Sequence, residues 1–369
     1  MPPINVLMKP SSSLCNMSCR YCFYCDEASK REQDSYGFMS EETLKNIIRK
    51  TLPRAEYAIS YAYQGGEPTL RGLAFFEKAV SLQKQYNQNG VRVFNALQTN
   101  GYAIDQDWGE FLSRNDFLVG LSIDGTKEIH DALRHDKNGG GTYDRVLQAV
   151  EVLDRYRVRY NILTVVTSEI ARNARTVYQA YRKRGWHYQQ YIACLDPLDG
   201  AHGASPFALT PEDYGYFLTE LFQLWAADDG KGSPPYIRQF DNYIGLAAGI
   251  PAEACDQRGT CGIQYVVEAD GGVYPCDFYM LDEYRLGNFN QDRLDQIDSA
   301  RERIGFVERS RKLDPACRSC RFYLLCQGGC QRHRDFDPVE GVYKNFFCQS
   351  YRIFFENCFD KIMELGKRL

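Results

Sequence analysis

Strand-like and helix-like segments alternate through the first two hundred residues, and this alternation limits the possible folds more than any other feature. Short apolar runs predict six strands, at 4–9, 57–63, 91–100, 117–124, 159–167 and 188–197. Segments with helical spacing lie between them, at 40–52, 73–87, 105–115, 143–156 and 173–185. Such alternation predicts an α/β fold with a parallel sheet and right-handed crossovers, either open or curled into a partial (β/α)6 barrel.

The pattern changes near Leu209, where two further helices are predicted at 210–229 and 237–249. From Cys255 onward the chain is rich in glycine and cysteine. Strand-like segments on either side of Gly271 and Gly272 predict a β-hairpin, and the tail at 343–369 predicts a helix. We therefore expect three parts: a barrel domain over 1–200, a helical linker region over 201–250 and a small Cys-rich domain over 251–369.

The chain carries fourteen cysteines and only five histidines. The N-terminal stretch MPPINVLMKPSSS lacks the apolar segment of a secretion signal, and no later run is long enough to span a bilayer, so we expect a cytoplasmic protein. In a reducing compartment, clustered cysteines are metal ligands or redox groups more often than disulfides. The net charge is −4 and no block of Lys and Arg stands out, which argues against nucleic acid and anionic membranes as partners.

Four cysteines stand just after the first predicted strand, as Cys15-x3-Cys19-x2-Cys22 followed by Cys25. A zinc site normally uses paired C-x2-C knuckles, which the three-residue gap fits poorly. A ferredoxin-type cluster would use all four cysteines, but the usual ferredoxin run has its gaps in another order. The third possibility is an iron–sulfur cluster held by three cysteines, which leaves one iron open to bind a small molecule.

Glycine and polar residues follow two other predicted strands. The segment QGGEP places Gly65, Gly66 and Glu67 after the second strand, and a missing Cβ lets the backbone approach a ligand closely. The segment GLSIDG ends the fourth strand with Ser122, and Arg134 follows soon after. A hydroxyl and a guanidinium suit a ribose and a carboxylate. Taken singly, a strand-terminating turn or a surface side chain explains each of them equally well.

The pattern Cys15-x3-Cys19-x-Tyr21-Cys22, together with the GGE segment, resembles the radical S-adenosylmethionine (SAM) enzymes. In that family the open iron of a 4Fe-4S cluster chelates the amino and carboxylate groups of SAM, and an electron from the cluster cleaves SAM to a 5′-deoxyadenosyl radical. The resemblance implies that SAM is bound by seven residues: Tyr21, Gly65, Gly66, Glu67, Ser122, Arg134 and Leu195.

Eight of the nine cysteines in the C-terminal part of the chain, all except Cys358, form a second pattern. Two structural zinc sites are one interpretation of eight such ligands. Their spacing also resembles the SPASM extension of radical SAM enzymes, which carries two auxiliary 4Fe-4S clusters. A fully ligated cluster has no vacant iron and suits electron transfer. The resemblance implies two ligand sets: Cys255, Cys261, Cys276 and Cys330 for the first auxiliary cluster, and Cys317, Cys320, Cys326 and Cys348 for the second.

Nearly end to end, the chain resembles the anaerobic sulfatase-maturating enzymes, in segments such as CNMSCRYCFY, QGGEPTL, FLVGLSIDG and CDFYMLDEYRLGN. These enzymes oxidise one Cys or Ser of a sulfatase polypeptide to Cα-formylglycine. The resemblance implies three 4Fe-4S clusters and SAM as cofactors, a sulfatase polypeptide as substrate, and a flavodoxin- or ferredoxin-like reductant. It makes Asp277 the general base. Four further residues are candidates for binding the substrate peptide: Tyr24, Gln64, Gln98 and Asn100.

Two other functions stay open at this stage. Many SPASM enzymes cross-link ribosomal peptides, but they often carry an extra N-terminal recognition domain, for which a first strand at Ile4 leaves no room. A multi-cluster electron carrier would need neither the QGGEP segment nor the βα scaffold. Of the remaining cysteines, Cys194 and Cys358 are predicted to be buried apolar residues, and Cys25 has no assigned role.

Overall fold

The computed structural model describes residues 4–198, 200, 202–230 and 234–369. Its strands are β1 Ile4–Met8, β2 Ala58–Tyr63, β3 Arg92–Thr99, β4 Leu118–Ser122, β5 Arg159–Val166, β6 Tyr188–Ala193, β7 Tyr236–Ile237, β8 Tyr265–Val267, β9 Gly272–Tyr274, β10 Gly287–Asn288, β11 Arg334–Asp337 and β12 Val342–Asn345. Its helices are α1 Phe23–Ser29, α2 Glu41–Thr51, α3 Leu73–Tyr86, α4 Gln106–Arg114, α5 Lys127–Leu133, α6 Tyr143–Arg155, α7 Ser168–Arg172, α8 Ala174–Lys183, α9 Pro211–Asp229, α10 Arg238–Ala247, α11 Leu294–Arg303, α12 Phe306–Ser310, α13 Pro315–Arg318, α14 Tyr323–Cys326 and α15 Cys348–Gly366.

Two compact units make up the structure, and neither is continuous in sequence. The first comprises Met1–Ile123, His130–Asn161 and Ile263–Gly305. The second comprises Asp124–Ile129, Ile162–Gly262 and Phe306–Leu369. The predicted domain boundaries at residues 200 and 250 stay a prediction. The two units are defined by packing, and each combines segments from different predicted domains.

Seven strands of the first unit are hydrogen-bonded in the order β10-β9-β8-β1-β2-β3-β4. All pairs from β8 to β4 are parallel, and Val6 of β1 lies opposite Tyr61 on one side and Tyr265 on the other. Strand β9 runs antiparallel to β8, so the hairpin predicted across Gly271 is confirmed. This hairpin joins the N-terminal sheet at β1, a contact that nothing in the local pattern indicates.

Local chemistry accounts for the elements of the first two hundred residues. In β2, Ile59, Tyr61 and Tyr63 alternate as fully buried side chains, as the period of a half-buried strand requires. Helix α2 begins after Ser40, whose hydroxyl accepts a hydrogen bond from Thr43 N at 3.0 Å. The six predicted strands and five predicted helices are all present, which confirms the α/β fold with a parallel sheet. The sequence reasoning missed the short helices α1, α5 and α7.

The second unit contains the parallel strands β5-β6-β7, the hairpin β11-β12 and the long helices α9 and α15. The two helices pack through aromatic side chains such as Phe222 and Phe354, whose ring centroids are 5.8 Å apart. The predicted start of the tail helix at residue 343 is wrong, because residues 342–345 pair with β11 and the helix begins at Cys348. Of the helices in the described ranges, none is both long and apolar enough to cross a membrane.

Candidate active site

The loop that carries Cys15, Cys19 and Cys22 follows β1 and is fixed by the segment around Arg134. Ser18 N donates to His135 O at 2.8 Å, and Arg20 N donates to Leu133 O at 3.0 Å. These backbone bonds hold the three partly buried thiols together on one short loop.

The three thiols are close enough to influence one another. Burial raises the pKa of Cys15 to about 12, and negative charge on Cys19 and Cys22 acts in the same direction. Asn100 Nδ2 lies 3.7 Å from the sulfur of Cys15, and Arg134 Nη1 lies 3.9 Å from the sulfur of Cys19. Three cysteine sulfurs are a donor set that suits an iron–sulfur cluster. N–H groups near such sulfurs help to set the reduction potential of the cluster.

Cys25 lies next to this loop but outside the three-cysteine set. A hydrogen bond with the Cys25 thiol lowers the pKa of Cys22 to about 6. Cys25 itself is exposed, whereas Cys194 and Cys358 are buried, as predicted for apolar residues. The structure thus links Cys25 to a proposed ligand without adding it to the ligand set.

The GGE segment packs directly on the cysteine loop. Glu67 N donates to Leu14 O at 2.8 Å, and Gly66 has a φ of +52°. A Cβ built on Gly66 would lie 2.3 Å from Leu14 O, so only glycine allows this close approach of two backbones. Gly66 therefore sets the distance between the end of β2 and the loop that carries the thiols.

Glu67 is fully buried and its carboxylate is already satisfied by protein donors. Its Oε1 accepts from Thr69 N, Thr69 Oγ1 and Thr99 Oγ1 at 2.6 to 3.0 Å, and its Oε2 accepts from Asn100 N at 2.8 Å. Burial raises the pKa of Glu67, and these donors act in the opposite direction. The predicted contact of Glu67 with SAM stays a prediction; what the structure shows is a carboxylate that ties the end of β2 to the end of β3.

We expect Glu67→Gln to destabilise the folded protein by about 2 to 3 kcal/mol, because an amide NH2 would replace one oxygen that now accepts from buried donors. Denaturant unfolding of the anaerobic protein measures this. Glu77→Gln, at an exposed position of α3, is the matched control and should leave stability unchanged. Equal midpoints for the two variants would contradict the role given to Glu67.

The other predicted SAM residues are divided between the two units. The guanidinium of Arg134 lies 5.4 Å from the centre of the Tyr21 ring, so these two are neighbours beside the cysteine loop. Ser122 is partly buried at the end of β4 in the same unit. Leu195 is partly buried just after β6 in the second unit. Their contacts with SAM stay predictions.

Asp277 follows β9 and is held by two of the residues predicted to bind substrate. Tyr24 donates its hydroxyl to Asp277 Oδ2 at 2.6 Å, and Gln64 Nε2 donates to the same oxygen at 2.8 Å and to Tyr24 Oη at 2.7 Å. Asp277 is only 6% exposed, and burial raises its pKa, while the nearby ammonium of Lys9 acts in the opposite direction. Its second oxygen, Oδ1, has no hydrogen-bond donor among the described residues.

The two other predicted substrate residues differ in their surroundings. Asn100 Nδ2 donates to Asn16 Oδ1 at 2.8 Å, and Asn100 Oδ1 accepts from Tyr102 N, so this side chain supports the cysteine loop. Gln98 is partly buried in β3, opposite Gly120 of β4. Sequence reasoning missed Lys9 and Asn16, although the CNMSC segment contains Asn16 and could have pointed to it.

The second unit contains seven of the eight cysteines predicted to hold the auxiliary clusters, and charge interactions link several of them to one another. Burial raises the pKa of Cys330, and negative charge on Cys255 and Cys261 raises it further. Burial likewise raises the pKa of Cys326 to about 12, with contributions from Cys317, Cys320 and Cys348. The eighth, Cys276, belongs to the first unit. The two predicted ligand sets stay predictions.

Each thiolate of a cubane cluster binds a different iron, so the ligands do not surround a single point. In the described ranges, no three His, Cys, Asp or Glu side chains are grouped around one point as a lone metal ion would require.

Two family models match the chain. Residues 10–177 match the Radical SAM superfamily, and residues 259–321 match SPASM, an iron–sulfur cluster-binding domain.

Full-length relatives extend this likeness. The cysteine-type anaerobic sulfatase-maturating enzyme of Clostridium perfringens is 42% identical over 369 residues, which are 100% of this chain and 100% of the relative. The serine-type enzyme of Bacteroides thetaiotaomicron is 31% identical, over 96% of this chain and 89% of its own length.

Solved structures show the same relation. Native anSMEcpe with bound AdoMet and the Cp18Cys peptide has a TM-score of 0.94 at 42% identity, and the match covers 100% of this chain and 99% of that one. SuiB of Streptococcus suis bound to its precursor peptide SuiA has a TM-score of 0.65 at 14% identity, over 94% of this chain and 76% of SuiB. The likeness to SuiB concerns the fold alone.

Proposed function

The chain belongs to the family of anaerobic sulfatase-maturating enzymes, and from this we propose that it oxidises one cysteine of a sulfatase polypeptide to Cα-formylglycine. The observation that carries the proposal is the environment of Asp277. One oxygen of this buried carboxylate is held by Tyr24 and Gln64, and the other has no donor among the described residues. The carboxylate belongs to the same unit as the three-cysteine loop.

The cofactors are assigned to the residues whose chemistry fits them. Cys15, Cys19 and Cys22 would hold the cluster that binds SAM, and the two sets of C-terminal cysteines would hold the auxiliary clusters. Within the first unit, SAM itself would lie against Tyr21, Gly66, Ser122 and Arg134. When bound, these groups supply a 5′-deoxyadenosyl radical that removes one hydrogen atom from Cβ of the target cysteine, and they accept the second electron of the oxidation.

Removal of a proton is the step that falls to the protein. A free thiol has a pKa near 8.5 and a carboxylate one near 4, so a carboxylate is a poor base for an ordinary thiol. Loss of the Cβ hydrogen makes the adjacent S–H far more acidic, and Asp277 Oδ1 is open to accept that proton. With one proton and one electron gone, carbon and sulfur form a double bond. Water then replaces the sulfur, which leaves the aldehyde and hydrogen sulfide.

A cysteine rather than a serine is the proposed target. Relatives that are 39% to 42% identical over the whole chain are named cysteine-type, whereas the serine-type relatives are 30% to 31% identical. Two solved structures of anSMEcpe, which is 42% identical to this chain, carry the Cp18Cys and Kp18Cys peptides. A flavodoxin- or ferredoxin-like protein is the proposed electron donor. A reducing cytoplasm, where cysteine side chains persist as thiols or metal ligands, is the proposed location.

Mass spectrometry under strict anaerobiosis tests this function. The reduced, cluster-loaded protein is mixed with SAM and a short sulfatase-derived peptide containing Cys-x-Pro-x-Arg, with the same peptide carrying Ala for Cys as control. An aldehyde on the first peptide, with matching 5′-deoxyadenosine, is the expected result. Deoxyadenosine with an unchanged peptide would point to another peptide substrate, including those that are cross-linked. No deoxyadenosine from iron-replete protein would favour an electron carrier.

A further inference from the structure

Lys9 is a buried ammonium whose only acceptor among the described residues is a weak one. It follows β1 directly and is 3% exposed. Its Nζ lies 3.1 Å from Met280 Sδ and 4.2 Å from the centre of the Tyr24 ring. Among the described residues, no oxygen is within hydrogen-bonding distance of it, the nearest carboxylate oxygen of an acidic partner being Asp277 Oδ1 at 3.9 Å. An ammonium carries three N–H donors, and a thioether sulfur is a poor acceptor. At least two donors of Lys9 are therefore open in a buried environment, where unpaired donors are costly.

The structure leaves room for this side chain by placing glycine at position 65. A Cβ built on Gly65 would lie 2.2 Å from Lys9 Cε and 2.9 Å from Lys9 Cγ. Backbone bonds hold the base of Lys9 from both sides, since Lys9 N donates to Val267 O at 2.8 Å and Gln64 N donates to Met8 O at 2.9 Å. The position of the ammonium thus depends on the first glycine of the GGE segment and on strand β8.

The open donors of Lys9 face the open oxygen of Asp277. Lys9 Nζ and Asp277 Oδ1 are 3.9 Å apart, which is too far for a direct hydrogen bond. Asp277 Oδ1 has no donor among the described residues. A third atom that donates to Oδ1 and accepts from Nζ satisfies both groups at once. Thiols and hydroxyls are the side-chain groups that donate and accept through a single atom.

We propose that Lys9 is a catalytic residue that donates a hydrogen bond to the sulfur of the target cysteine while that sulfur gives its proton to Asp277 Oδ1. The inference rests on the proposed function and adds a second contact to the reacting atom. Lys9 keeps all its protons throughout; its charge stabilises the negative charge that grows on sulfur as the S–H bond breaks. Asp277 removes the proton, and Lys9 makes the sulfur readier to release it.

The test variant is Lys9→Met, which matches lysine in length but has neither charge nor donor. Its control is Lys45→Met, at an exposed position of α2. We expect Lys9→Met to lower kcat for aldehyde formation roughly 10- to 100-fold, as loss of one charge-assisted hydrogen bond implies, while SAM is still cleaved. Lys9→Arg keeps a donor and should recover part of that loss. Lys45→Met should match the unchanged protein.

A binding measurement separates this role from an indirect one. Affinities of the SAM-loaded protein for the Cys peptide and for its Ala counterpart are measured by fluorescence anisotropy. If Lys9 touches the target sulfur, Lys9→Met weakens binding of the Cys peptide roughly 3- to 10-fold and leaves the Ala peptide unaffected. If Lys9 only positions Asp277 or supports the fold, the ratio of the two affinities does not change, and the proposal is overturned. An unchanged kcat for Lys9→Met would overturn it as well.

The two proposals fail in different ways. Absence of an aldehyde from the unchanged protein contradicts the proposed function. The affinity ratio requires no turnover, so it still decides whether Lys9 contacts the target sulfur.

Discussion

Replacing Asp277 by Asn should abolish aldehyde formation while SAM is still cleaved to 5′-deoxyadenosine. An amide has nearly the shape of a carboxylate but cannot take up a proton at this step. Loss of a general base lowers the rate roughly 100- to 10 000-fold. Tyr24 and Gln64 can still contact the substituted side chain, so the surrounding structure should remain in place. Chromatography of deoxyadenosine, with mass spectrometry of the peptide in the same sample, measures both products.

Asp295→Asn is the matched control for this substitution. Asp295 lies on α11 in the same unit, where it pairs with Arg293 at the exposed surface. It should leave the ratio of aldehyde to deoxyadenosine unchanged. Normal turnover by Asp277→Asn would show that another group takes the proton. Loss of deoxyadenosine in that variant would instead place Asp277 in SAM binding.

The second large effect is expected from Cys19→Ala. It removes one of three thiolates from the loop after β1, so we expect loss of about four of about twelve irons per chain and of all SAM cleavage. The auxiliary clusters have separate ligands and should keep their iron. Iron and sulfide analysis, with EPR of the reduced protein, measures cluster content, and chromatography measures deoxyadenosine.

Cys358→Ala serves as the control because Cys358 is buried on α15 and lies outside all three proposed ligand sets. It should keep full iron and full SAM cleavage. If Cys19→Ala still produced deoxyadenosine, the assignment of the SAM cluster to this loop would be wrong. If Cys358→Ala lost iron, the set of auxiliary ligands would need revision.

Much of the fold follows from local chemistry that is visible in the sequence. Strand β2 shows its alternation, and Ser40 marks the start of α2 through a short-range hydrogen bond. The three-cysteine loop and the GGE segment are both visible because each is a short motif with a definite backbone requirement, as the close contact of Gly66 with Leu14 shows.

The parts that could not be predicted depend on contacts between distant segments. Lys9 looks like an ordinary polar residue at a strand end, and only the arrival of Asp277 and Met280 makes its ammonium a buried group. Tyr24 and Gln64 are candidates for substrate contact by position, whereas the structure places both on Asp277. The residues of β12 were predicted as part of the tail helix, because the local pattern there is apolar and helical. Their extended conformation depends on pairing with β11, which the local sequence does not show.

The pairing of β1 with β8 also has a consequence for the order in which the protein is made. Strand β8 covers the edge of β1 at Val6, and Tyr265 of β8 is synthesised later than Val6. At ordinary rates of translation this delay is on the order of tens of seconds. Until then β1 has an exposed edge, the kind of edge that promotes aggregation. The three N-terminal thiols are synthesised early and Asp277 is synthesised late. The proposed ligands of the SAM cluster are therefore present in the nascent chain before the proposed general base.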